Sequence, residues 1–188
     1  MAPSVPELRF APAGRPPFAV QARVVEDDTW LVLGADPRFR ESGEHPIRVH
    51  TAAWEAEPAT PGSVVVRPGR PLELRAIVHD LARDPTWRPE WVGEALAAVL
   101  REAERRRIAA LAMPVLGARH GALSEDVFLR LLEDAITAVE PDLPRRIWIE
   151  SAHAAPRAGA RRAEGGRGDW TRVTVQLVTV ELVTVEPV

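Results

Sequence analysis

The residues of this 188-residue chain best suited to chemistry lie in one stretch, MPVLGARHGALSEDV (113–127). An apolar run enters a turn holding Gly117, Arg119, His120 and Gly121, and then the start of a helical pattern. A strand that feeds a glycine turn and a helix N-terminus suits a bound phosphate, because free backbone N–H groups and the helix dipole both favour an anion. Other chemistries are pruned by composition. The chain has no cysteine, which removes disulfides, thiolate nucleophiles and cysteine metal sites. All 24 basic residues are arginine, so Schiff-base chemistry and a P-loop lysine are excluded. His45, His50, His79, His120 and His153 lack metal-binding spacing, and no metal site or cofactor is expected. Ser63, Ser124 and Ser151 lack the setting of a nucleophile elbow. Asp27, Asp28, Asp80 and Asp84 pattern as solvated turns or caps.

The elements that must position the glycine turn follow from the apolar pattern. FAVQARVV (18–25) and TWLVLG (29–34) predict two strands around a turn at Glu26, Asp27 and Asp28. SVVV (63–66) and LRAIVHDL (74–81) predict two more. From Pro89 the period changes, with Val92, Leu96, Val99, Leu100 and Ala103 on one helical face. IAALAM (108–113) is continuously apolar, as a strand buried on both faces is. A second helix is expected after the N-cap Ser124, with Glu125 and Asp126 in its first turn and Pro141 as its stop. RRIWIES (145–151) predicts a further strand. Strand, helix, strand, helix and strand with short joints mean a mostly parallel sheet flanked by helices.

Around this body, residues 1–17 are proline-rich and predict an irregular arm, the body spans 18–153, and 154–169 form an Ala/Gly/Arg linker. Residues 170–188 form a repetitive β tail. In it the unit Leu-Val-Thr-Val-Glu recurs with an odd period, so each repeat turns its apolar set to the opposite face of a strand. Such a tail either docks on the body or on a protein partner, or leaves an exposed edge. No apolar run is long enough to span a bilayer, and the N-terminus has no secretory pattern, so no membrane is expected and the cytoplasm is. A net charge of −3 makes nucleic acid an improbable partner. The six tryptophans pattern as core or interface anchors.

With these elements in place, the middle of the chain resembles the macrodomain family, whose members bind ADP-ribose or remove it from proteins. Three segments carry the resemblance. PGSVVVRPGRPLELRAIVHDLARDPTW (61–87) is similar to the family's Gly-led strand followed by a strand of the type xVIHxVxPxW. IAALAMPVLGARHGALSEDVFLRLLEDAI (108–136) is similar to its strand, phosphate loop and helix, and WLVLGADPRF (30–39) to its xIVNAANPxL strand and turn. The resemblance implies a three-layer α/β/α mixed sheet with helices on its flanks, followed here by the β tail. It places Gly117, Ala118, Arg119, His120, Gly121, Ala122 and Leu123 on the diphosphate and distal ribose. Asp36 then falls on the position of the ribose-contacting Asn, as the candidate catalytic residue for an ADP-ribosyl hydrolase, with Gly43 in the first glycine loop. Arg119, where the family has glycine, either clamps the diphosphate or fills its space.

Departures from the pattern leave two readings open. The first glycine loop is reduced to RESGEHPIR (40–48), and the GDIT motif whose Asp holds adenine is missing, since Asp27 and Asp28 do not fit its spacing. One reading is a divergent macrodomain binding ADP-ribose or a related nucleotide diphosphate, with or without hydrolysis. The other is a degenerate macrodomain that binds no nucleotide and acts as a protein-interaction module through its C-terminal strand. Gly121→Glu is expected to abolish binding and leave the fold intact.

Overall fold

A computed structural model gives the fold, and it describes residues 6–33, 57–151, 172–175 and 178–182. Eight strands form one sheet in the order β3-β4-β2-β5-β6-β1-β8-β7. They are β1 (Glu7–Ala11), β2 (Ala22–Asp28), β3 (Val64–Arg67), β4 (Leu72–His79), β5 (Ala110–Pro114), β6 (Arg146–Glu150), β7 (Arg172–Val175) and β8 (Val178–Leu182). Pairing is parallel from β4 through β2, β5, β6 and β1 to β8, and antiparallel at the two ends, β3 on β4 and β7 on β8. The sheet is therefore mixed and the architecture α/β, as the resemblance implies.

Two helices cover one face. Helix α1 (Pro89–Arg105) starts with proline in its first turn, where the missing N–H costs nothing. Helix α2 (Glu125–Val139) starts at Ser124, whose Oγ accepts from the Val127 N–H at 3.4 Å, and ends at Glu140 in the left-handed region just before Pro141. Val92, Leu96, Val99 and Leu100 of α1 and Phe128, Leu132 and Ile136 of α2 share one core with alternate strand residues. Those include Leu8 and Phe10, Ala22 and Val24, Leu74 and Ala76, Leu111 and Met113, and Ile147 and Ile149. The period-two strands and the 3.6-period helices thus meet on a single apolar layer. On the opposite face Ala11, Ala112 and Trp148 pack with Phe18 and Val20, and the Trp148 indole N–H donates to the Ala11 carbonyl at 3.0 Å. Among the described residues no helix lies on that face.

Three expectations need correction. The arm expected over 1–17 contains β1, an interior strand between β6 and β8, because Leu8 and Phe10 alternate into the core despite the flanking prolines. The strand expected at TWLVLG does not form. Thr29 and Trp30 turn, Leu31 has φ +59°, and the buried Asp28 carboxylate accepts the N–H groups of Trp30, Val32 and Leu33 at 2.7, 2.9 and 2.7 Å. A side chain that captures three consecutive-region donors outcompetes a ladder for them. β2 instead runs through Glu26, Asp27 and Asp28, where a turn was expected.

Candidate functional site

The candidate site lies at the carboxyl ends of the parallel strands, where ligands of open α/β sheets bind. There β5 leaves the sheet through Val115 and Leu116 into the loop 117–123, and α2 begins two residues later. Gly117 has φ +77°, which glycine adopts freely, and its N–H points inward to Glu26 Oε2 at 2.9 Å. Its carbonyl accepts the Leu123 N–H at 3.2 Å, and the Ala118 N–H goes to the Val115 carbonyl at 3.2 Å. These bonds pin both ends of the loop. Between them, the N–H groups of Arg119, His120, Gly121 and Ala122 have no partner among the described residues. Four successive donors without partners among the described residues, on a loop pinned at both ends, are available to anionic oxygens.

Gly121 is required by contact. A Cβ there would lie 2.6 Å from the Gly117 carbonyl oxygen and 2.7 Å from two atoms of the Trp87 indole. Trp87 thus supports the loop from β4's side, and its backbone bridges to His79. The expectation that Gly121→Glu leaves the fold intact is overturned, since any side chain must displace Trp87 or the loop backbone. Leu123 is buried in the core, whereas Ala118, Arg119, His120 and Ala122 are exposed.

Beneath the loop, the three acidic residues that end β2 are buried and individually satisfied. Glu26 accepts from Gly117 and lies 2.6 Å from Nε2 of the buried His79, whose ring meets the His120 ring edge-on at 5.8 Å. Asp27 accepts from the Arg75 guanidinium at 2.8 Å and from the Asp28 N–H at 2.9 Å. Arg75 also bonds Glu73. Asp28 takes the three turn donors already described. These are structural carboxylates, neither the solvated turn expected of Asp27 and Asp28 nor free bases. His79 is a core histidine, buried and held by Glu26. Asp80 holds its own loop, accepting from the Ala82 N–H at 3.1 Å and pairing with Arg83 at 2.8 Å.

A cavity of about 470 Å³ opens beside this wiring, walled by Thr29, Trp30, Thr60, Asp80 and Arg83 among others. Thr29 stands at its rim, with its N–H on the His79 carbonyl, its carbonyl on the Ala59 N–H, and its hydroxyl unpartnered among the described residues. Asp36 and Gly43 lie outside the described residues, so of the expected site residues the structure brings together 117–123 alone. Sequence reasoning missed Glu26 and Trp87 as the loop's supports. Their contacts span 91 residues for Glu26 to Gly117, and no local pattern signals such a pairing. No cluster of metal-ligating side chains occurs among the described residues.

No protein-family model matches the sequence, and no curated protein does. Solved structures do match the fold. The macrodomain of Thermus aquaticus DarG aligns at 22% identity with a TM-score of 0.55, covering 77% of this chain and 97% of that one. The macrodomain of Mycobacterium tuberculosis DarG aligns at 17% identity and 0.57, covering 78% and 99%. A variant of the Oceanobacillus iheyensis macrodomain solved with ADPR aligns at 8% and 0.52, covering 77% and 84%. With its mixed sheet, its strand order and these likenesses taken together, the chain has the macrodomain fold.

Proposed function

We propose that this protein binds ADP-ribose or a related nucleotide diphosphate through the loop 117–123. The observation that carries this reading is the run of four N–H groups, Arg119 to Ala122, that have no partner among the described residues, on a loop fixed at both ends. Diphosphate oxygens accept from such donors, and the exposed Arg119 adds a cation that can reach them. The N-terminus of α2 contributes its dipole, partly offset by Glu125 and Asp126 in the first turn. The fold's likeness to a macrodomain solved with ADPR supports the same ligand class. Any removal of ADP-ribose from proteins would further require a base and a positioned water at the ribose end, a role assigned by resemblance to Asp36.

A second reading, interaction without nucleotide, draws support from the tail. β8 lies beside β1, and β7 ends the sheet with one side of its ladder unpaired among the described residues, the geometry that accepts a strand from a partner. Calorimetric titration with ADP-ribose, beside AMP and NAD, separates the two. Binding in the micromolar range with AMP much weaker is the expected result, and a folded sample giving no heat with any of the three would overturn the nucleotide reading.

A further inference from the structure

The Glu26 carboxylate has a consequence for which phosphates the loop admits. It is buried, with 8% of the residue exposed, and both oxygens are used, one by His79 and one by the Gly117 N–H. The first amide of the loop is therefore committed to a buried carboxylate, two residues before the donors that remain. The carboxylate's one side-chain partner is the His79 ring, and no guanidinium among the described residues pairs with it. Arg75 is committed to Asp27 and Glu73, and Asp28 meets three N–H groups but no cation among the described residues. Glu125 and Asp126 follow at the start of α2. Against these acids the loop itself sets the exposed Arg119 and the His120 ring. Out of water a charge acts at longer range, because the effective dielectric is a fraction of the bulk value.

We propose that Glu26 makes the loop selective for a diphosphate diester, with one negative charge on each phosphate, over a terminal phosphate, with two. Glu26 is a specificity-determining and positioning residue in this scheme, not a catalytic one. The proposal rests on the nucleotide reading above and names the ligand subclass within it. A diester such as ADP-ribose presents its single charges to Arg119 to Ala122, whereas the doubly charged end of ADP meets the buried carboxylate with one unit of repulsion more.

The test compares ADP-ribose with ADP by titration at pH 8, where a terminal phosphate, with a second pKa of about 6, is fully ionised. The variant is Glu26→Gln. Its amide oxygen can accept from Gly117, and its NH2 can donate to the His79 ring nitrogen in the other tautomer, so the loop keeps its anchor and loses the charge. Wild type is expected to prefer ADP-ribose, and the variant to reduce that preference by about tenfold, the size of one partly buried charge interaction. An unchanged ratio would overturn the proposal alone, as would equal weakening of both ligands, which marks a scaffold role only. A folded wild type that binds neither ligand would overturn the nucleotide reading together with this one.

Discussion

The β2–β4–β5 side of the sheet is crossed by buried charged side chains, whereas the β1–β8–β7 side carries a repeated sequence on its outer strands. On the first, buried side chains cross between strands: Arg75 of β4 to Asp27 of β2, His79 of β4 to Glu26 of β2, and Glu26 onward to the loop after β5. On the second, β8 joins through a parallel backbone ladder to β1, Leu8 opposite Val180 and Phe10 opposite Leu182, and β7 folds back on β8 with Val175 opposite Val178. A charge buried in the wrong register would be left alone at high cost, so the first arrangement specifies one pairing. A ladder of repeated residues does not. Val-Thr-Val recurs at 173–175, 178–180 and 183–185, so a slip of five residues sets the same tripeptide beside β1. Buried charged side chains fix the loop 117–123 against β2.

The largest effect that would break this contrast comes from Arg75. Arg75→Met removes the buried guanidinium that bonds both Asp27 and Glu73, and loss of one partner of a buried pair costs about 3–5 kcal/mol. The melting temperature should fall by about 10 °C, taking 2–4 °C per kcal/mol for a chain of this size. A drop of only a degree or two in a thermal scan would mean that the pair is not what fixes β2 against β4.

Next in size is Gly121. Gly121→Glu forces Trp87 or the Gly117 carbonyl aside, an overpacking cost of about 1–3 kcal/mol, and should lower thermal stability and abolish ADP-ribose binding together. Ala122→Glu sharpens the result. Its side chain is exposed, so it should weaken ADP-ribose through charge while the melting curve stays where it is. If both variants melt normally, Trp87 does not support the loop.

The sequence makes one class of information legible, and these two residues show its limit. Pro89, Ser124 and Pro141 mark helix ends by local rules, and LRAIVHDL and IAALAM announce buried strands by composition, so most of the helix-covered layer is readable in advance. The glycine loop is readable for the same reason, because Gly117 and the cap Ser124 are local devices. What stays hidden is non-local. Three adjacent acids look like a turn until Arg75, His79 and the loop N–H groups arrive to satisfy them, and TWLVLG looks like a strand until Asp28 takes its donors. β1 is hidden by its prolines, since alternation over five residues is too short to stand out. Asp36 near the ribose and Gly43 in the first glycine loop are singled out by the resemblance alone, and both lie outside the described residues.

The smallest expected effect belongs to the tail, and it is the sharpest test of the contrast. Deleting residues 177–181 removes one whole repeat yet restores nearly the same hairpin: Gln176 is followed by Leu182 and then by Val183, Thr184 and Val185, in place of Leu177 to Val180. A Gln-Leu pair still separates the two Val-Thr-Val runs, and the tripeptide beside β1 is the same. The one difference is Pro187 in the position of Leu182, opposite Phe10, which removes an N–H at the end of the ladder. Stability by denaturant titration should therefore shift by about 1 kcal/mol at most, the net contribution of one hydrogen bond, although five residues are gone. That is less than the single side chain of Arg75 is expected to cost. A loss of several kcal/mol would mean that contacts particular to 177–181 hold β8 in register.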